Sequence, residues 1–280
     1  MGASAVLTSG AAARAETRSP EGVQAAVARF AKLPVTSSCL VAADAPAPWQ
    51  VAHDPKARLF VGSVVKTFNL SGTTTRRSVL EAMIAHSDNT ATDVAIASVG
   101  PAPVRALIKE AGLTATQIPE STRRLFSYIA GAPEGVDLGW HGVQQAVAGK
   151  LPGKPRPPLN DRETMASTAD DLVRWYQQAL RGAFFKKPET LVEFKRIQAM
   201  ADALDLIVPT NIAAYGKGGS IDWQDFHCVS IAGQMVVDRV PVTFCFSINW
   251  TGPDAGVPAV MKSYGTVIAD VLQQAAAAVR

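Results

Sequence analysis

Three β-rich runs near the end of the chain, Ile212–Ile221, Phe226–Val237 and Val240–Trp250, constrain the fold more than any other feature. They are separated by a few residues only, with Gly218-Gly219 and Asp238-Arg239 as punctuation, and so predict an antiparallel meander. A final helix over Val257–Arg280 follows, with Val, Met, Ile and Leu at three- to four-residue spacing. At the other end of the chain, a helix over Glu21–Leu33 stops at Pro34, whose ring cannot continue it. Strands are expected at Ser37–Ala43 and around Arg58–Val61. The middle reads as mostly helical, with periodic segments at Arg77–His86, Thr90–Val99 and Val104–Ala111. Ser167–Asp171 offers a cap for a helix running to Leu180, and Glu189–Leu204 a further one. The stretch Gly131–Asn160, rich in glycine and proline, reads as a long loop, which is either functional or evidence against that assignment.

Strands at both ends with helices between imply an α/β (α+β) fold: an antiparallel sheet flanked by helices and interrupted by an all-α insertion. The sheet part is expected over about 21–62 and 207–280, the helical part over about 63–206, and a ligand site in the crevice between them. The 280 residues are 48% apolar and 18% charged, which excludes intrinsic disorder. No apolar run is long enough to span a membrane, and a spread net charge of +3 gives no footprint for nucleic acid. Lys150–Arg156 reads as a solvated basic loop. Cys39, Cys228 and Cys245 lie far apart in β-like runs and read as buried thiols, with one bridge left open. Residues 1–15 are small or apolar and end in Ala13-Arg14-Ala15, like the core and cleavage site of an export signal. An exported chain, periplasmic or secreted, is expected, with residues 16–280 as its folded part and a monomer as its state.

Three short elements stand out: Ser63-Val-Val-Lys66, Ser87-Asp-Asn89 and Lys217-Gly-Gly219-Ser220. A Ser-x-x-Lys pair alone means nothing in a chain with this composition. For Ser-Asp-Asn, chance predicts roughly 0.016 occurrences, so all three in this order form a strong constellation. Residues three apart on a helix share a face, so Ser63 Oγ and Lys66 Nζ can meet. A serine hydroxyl becomes a nucleophile when a base takes its proton, and burial or a second cation fits a lysine for that task. Lys217 supplies such a field and attracts an anionic substrate. Ser87 can relay a proton to a leaving nitrogen, and Asn89 can hold a substrate amide. The backbone N–H groups of Ser63 and Ser220 can form an oxyanion hole.

These motifs resemble the three signatures of serine β-lactamases and penicillin-binding proteins, most closely class A β-lactamases. His86–Asp93 and Asn160–Thr164 extend the likeness, the latter resembling the close of that family's omega loop. The resemblance implies Ser63 as nucleophile, Lys66 as general base and Ser87 as proton shuttle. It implies that Asn89, Lys217, Gly219 and Ser220 bind substrate, with no metal and no cofactor. The implied substrate is a β-lactam or a peptidoglycan-like amide. A D-alanyl carboxypeptidase, an esterase, or a protein that is acylated without turnover would use the same scaffold.

The chain departs from the family in three places. Only 24 positions separate Ser63 from Ser87, as if the nucleophile helix were cut short or a segment near Phe68-Asn69 were missing. No carboxylate stands before Asn160 where the family's water-activating glutamate is expected, leaving Glu163, Glu134 and Asp137 as nearby acids. The strand arginine that helps bind the substrate carboxylate is also absent, and His227 occupies that neighbourhood, either as its substitute or as a strand histidine bonded to backbone.

Overall fold

The computed structural model describes residues 19–44, 46–69 and 77–280. In chain order, α1 (Glu21–Phe30) leads into β1 (Thr36–Ala43), β2 (Trp49–His53) and the two-residue β3 (Leu59–Phe60). A 3-10 turn at Gly62–Val65 passes into α2 (Lys66–Asn69), a single helical turn. The helices α3 (Arg77–Ala85), α4 (Asn89–Val99), α5 (Pro101–Glu110), α6 (Thr122–Ile129) and α7 (Gly139–Val147) follow. Then come β4 (Ala166–Ser167), α8 (Ala169–Leu180), α9 (Pro188–Gln198) and a 3-10 turn at Asp202–Leu204. The chain ends with β5 (Ala213–Trp223), β6 (Phe226–Val237), β7 (Val240–Thr251) and α10 (Val257–Ala278). Five strands form one antiparallel sheet in the order β2-β1-β7-β6-β5, and β3 pairs with β4 in a second, two-stranded sheet. The expected α/β class with an antiparallel sheet and flanking helices is the observed one.

Local chemistry explains most boundaries. The turn between β6 and β7 puts Asp238 and Arg239 at φ 47° and 72°, the left-handed pair that a tight hairpin needs. Thr168 caps α8, its Oγ1 accepting from the Asp171 N–H at 3.1 Å, and Asp170 and Asp171 add negative charge to the first turn. On α1, Val23, Ala26, Val27 and Phe30 make the buried face. Phe30 meets Phe246 of β7 edge-on at 5.4 Å and Tyr264 of α10 at 6.2 Å, tying both terminal helices to the sheet. Tyr264 Oη donates to the Phe246 carbonyl at 2.9 Å.

Several elements differ from expectation. The Gly131–Asn160 stretch contains α7, whose Val143 alone is buried, so its periodicity is too weak to see. β2 was not expected, because five residues of alternating burial carry little signal. α9 stops at Gln198, and Asp202–Leu204 turns separately against β5. Within the basic loop, Arg156 is held rather than solvated: it lies 4.3 Å over the Tyr128 ring and donates to the Ala132 carbonyl at 2.7 Å. Cys39, Cys228 and Cys245 are buried and unbridged, and burial pushes each thiol up to about 12. Among the described residues no helix is long and apolar enough to cross a membrane. The export segment of residues 1–15 lies outside the described residues, as do 70–76, where the expected break after Asn69 falls.

One packing unit bears directly on the turn that carries Ser63. Trp175 of α8 is fully buried, edge-on to Phe68 of α2 at 4.9 Å and stacked on Phe184 at 5.2 Å. Its Nε1 donates to Thr67 Oγ1 at 3.0 Å, which also accepts from Gln198 Nε2 at 2.7 Å. This fixes α2 from behind and accounts for Trp175 and Tyr176 as core, as their helical spacing predicts. Replacing Trp175 with alanine is expected to cost about 3–5 kcal/mol, read from urea denaturation.

Candidate active site

The nucleophile candidate sits on a constrained turn. Gly62 has φ +53°, a left-handed conformation that glycine adopts without strain, and Ser63 follows on the 3-10 turn. β5 runs alongside as an edge strand. A Cβ added at Gly219 would lie 2.5 Å from the Ser63 nitrogen, 2.6 Å from the Val61 carbonyl oxygen and 2.7 Å from the Val64 nitrogen. Only glycine lets the strand come this close. The backbone of residues 219 and 220 therefore runs against the turn that carries the Ser63 amide.

Lys66 begins α2 and has no exposed surface. Its ammonium donates to the Ser87 carbonyl at 2.6 Å, to Ser87 Oγ at 3.2 Å and to Asn89 Oδ1 at 2.8 Å. Ser87 adopts φ +57°, and Asp88 caps α4 by accepting from the Ala91 N–H at 2.6 Å. Burial lowers the Lys66 pKa to about 8, against the opposing charges of Asp88 and Asp93. Among the described residues no hydrogen bond joins Lys66 to Ser63; the ammonium's donors are taken by the 87–89 turn instead.

Lys217 projects from β5, is 2% exposed and donates to the Gly218 carbonyl at 2.5 Å. Burial, then the positive charge of Lys66, lowers its pKa to about 7, with Asp202 opposing. Ser63, Ser87, Asn89, Lys217, Gly219 and Ser220 line one cleft of about 500 Å³, with Lys66 reaching it through Ser87 and Asn89. His86 and Asp202 also line that cleft and meet at 2.9 Å across its mouth. The sequence gives no hint of this pairing, since the two residues stand 116 positions apart.

A sequence profile described as the β-lactamase enzyme family matches residues 56–234, which hold every one of these side chains. The chain belongs to the β-lactamase enzyme family. No curated relative matches its sequence. Among solved structures it is similar to a β-lactamase from Sphaerobacter thermophilus, at 17% identity over 91% of this chain and 95% of that one, with a TM-score of 0.65. It is similar to a β-lactamase from Chitinophaga pinensis at 13% identity over 92% and 99%, with a TM-score of 0.69. A third is the class A β-lactamase of the last common ancestor of Gram-negative bacteria, at 13% identity over 92% and 99%, with a TM-score of 0.64. At such identities these likenesses establish the fold.

Among the described residues, no acid lines the small cavity that shares Ser63 with the cleft, and Asp202 is the acid in the wall of the cleft itself. Glu163 is buried with its carboxylate accepting from the Glu120 N–H at 3.0 Å and from Arg124 at 3.3 Å. Glu134 faces Arg162 at 3.7 Å and Asp137 faces Arg123 at 3.1 Å. Thr122, Leu125, Phe126 and Met165 share the lining of that small cavity with Ser63. No motif marks Thr122; the only available sign was its place just after Ser121, which caps α6 by accepting from the Arg124 N–H at 3.1 Å.

His227 is fully buried away from the cleft, between Asp222 Oδ1 and the Gly252 carbonyl, each at 2.8 Å. It is thus bonded in place, in keeping with a structural strand histidine. Burial disfavours its charge, but the bonds to Asp222 and Gly252, with the charges of Asp222 and Asp254, outweigh it and raise the pKa. A raised native pKa stabilises the fold fully below the unfolded histidine value of about 6.5, and this is lost as pH rises through the native value. The stability gap between wild type and Asp222→Asn is therefore expected to be widest just below that pH and to narrow above it, followed by denaturant titration across pH. Gly219→Ala should cost about 1–3 kcal/mol through the backbone displacement it forces, measured in the same assay.

Proposed function

We propose that this protein is a serine hydrolase acylated at Ser63 by β-lactam rings or related amides. The observation that carries the reading is the Lys66 amine, buried, depressed to about 8 and bonded to both Ser87 and Asn89 at the edge of the cleft that holds Ser63. Lys66, once neutral, takes the Ser63 proton as the hydroxyl oxygen attacks the amide carbon. Ser87, in contact with Lys66, passes a proton to the departing nitrogen. The Ser63 and Ser220 N–H groups face the developing oxyanion, Asn89 holds the substrate amide, and Lys217 attracts its carboxylate. The cleft lies between a sheet part of about 21–62 and 207–280 and a helical part of about 63–206. Action on a cell-wall-like amide or an antibiotic fits an exported location, and a monomer suffices because one chain supplies all these groups.

A second reading, acylation with little turnover, is favoured by the apolar setting of Leu125, Phe126 and Met165 beside Ser63. Intact-protein mass spectrometry after mixing with a chromogenic cephalosporin separates the two. Colour in excess over enzyme with little adduct supports hydrolysis; one equivalent of colour and a persistent adduct support the trap; neither colour nor adduct, or an adduct surviving in Ser63→Ala, sinks the assignment of Ser63. The pH dependence carries a further expectation. Acylation needs Lys66 neutral and Lys217 charged, so kcat/KM should be bell-shaped with its maximum between about 7 and about 8. A bound anion holds the Lys217 proton, so the alkaline limb of kcat should move upward relative to that of kcat/KM.

A further inference from the structure

Beside Ser63 the structure holds a small, partly open cavity of about 40 Å³, which Lys217 does not line. Its polar lining includes Ser63, Asn89 and Thr122, and Leu125, Phe126 and Met165 make much of the rest. Thr122 has no exposed surface, and its hydroxyl oxygen has no hydrogen-bond partner among the described residues. An unpaired buried hydroxyl is costly, and this one stands on a stiff β-branched side chain. Its backbone is pinned, the Thr122 N–H donating to Asp93 Oδ1 at 2.6 Å. One water needs roughly 10–15 Å³ in the same measure and two to four polar partners. The cavity offers both.

We propose that this cavity, which no acid among the described residues lines, holds the water that deacylates Ser63, oriented by the Thr122 hydroxyl. The inference rests on the reading of Ser63 as the acylated residue. The water oxygen forms a bond to the acyl carbon, and the ester bond from that carbon to Ser63 Oγ breaks. The proton shed by the water passes to the Lys66 amine, neutral again once the leaving nitrogen has been protonated, and returns from there to Ser63 Oγ. Asn89 joins the two groups, since it lines the cavity and accepts from Lys66 at 2.8 Å. Thr122 does no proton chemistry in this scheme. It is a water-positioning residue, and the apolar walls keep other orientations of the water from competing.

The test compares wild type, Thr122→Val and Thr122→Ser in burst kinetics with a chromogenic cephalosporin, with acyl-enzyme counted by intact mass. Thr122→Val replaces the hydroxyl by a methyl group of the same shape. It is expected to lower steady-state kcat about 10- to 100-fold while slowing the acylation burst far less, so that acyl-enzyme accumulates. Thr122→Ser, which keeps the hydroxyl, should recover most of the loss. Deacylation unchanged in Thr122→Val, burst and steady state falling together with the melting temperature, or a wild type that never turns over would each overturn the proposal. Crystal structures of Ser63→Ala with and without Thr122→Val give a reading independent of acylation. An ordered water on Thr122 Oγ1 that disappears with the valine supports the site, and a cavity empty of water in both overturns it. If no probe labels Ser63 in wild type, the reading of the nucleophile fails separately, and the water site then stands or falls on that density.

Discussion

A lysine ammonium with no exposed surface organises this molecule. Removing such a charge from water is expensive unless every donor finds an acceptor, and Lys66 finds its acceptors on a single turn, residues 87–89. That requirement accounts for the left-handed Ser87, whose carbonyl could not otherwise turn to the ammonium. It accounts for Asp88 rather than Ser87 capping α4. It also places α4 against α2 at the point where the cleft opens. The same burial that makes the charge costly makes the neutral amine accessible near neutral pH, so a folding constraint and a chemical capability come from one cause.

The second cation obeys the same logic from the other wall. Lys217 is nearly as buried, yet among the described residues its ammonium donates only to the Gly218 carbonyl, and the field of Lys66 acts on it directly. Two buried ammonium groups at one cleft leave the site electrostatically incomplete until an anion enters. Asp202 supplies part of that compensation from the 3-10 turn over β5, and it is simultaneously engaged by His86. Charge balance across the cleft therefore depends on whether this pair is closed.

How far the sequence discloses these features follows from the range of the interactions involved. β6 and β7 are legible to within a residue because strand period and a two-residue turn are local. The grouping of Ser63, Lys66, Ser87, Asn89 and Lys217 is legible because three short motifs in a fixed order are improbable by chance. α7 is not legible, since it buries only Val143, nor is β2, five residues long with only Trp49 buried. Thr122 is invisible for a deeper reason. Its importance lies in what it faces, and a 40 Å³ space bounded by β3, α4, α6 and β5 exists only after all four have packed. The segment before Asn160, where the family's acid is expected, instead packs on α6, with the Arg156 N–H donating to the Ile129 carbonyl.

The three buried cysteines have a practical bearing on how such a molecule can be studied. With burial holding each thiol up to about 12, almost no thiolate exists at neutral pH, and thiolate is the form that reacts. The cysteines of the folded chain are thus silent toward thiol-directed electrophiles. A covalent label on the native protein therefore reports on nucleophiles other than the cysteine thiols.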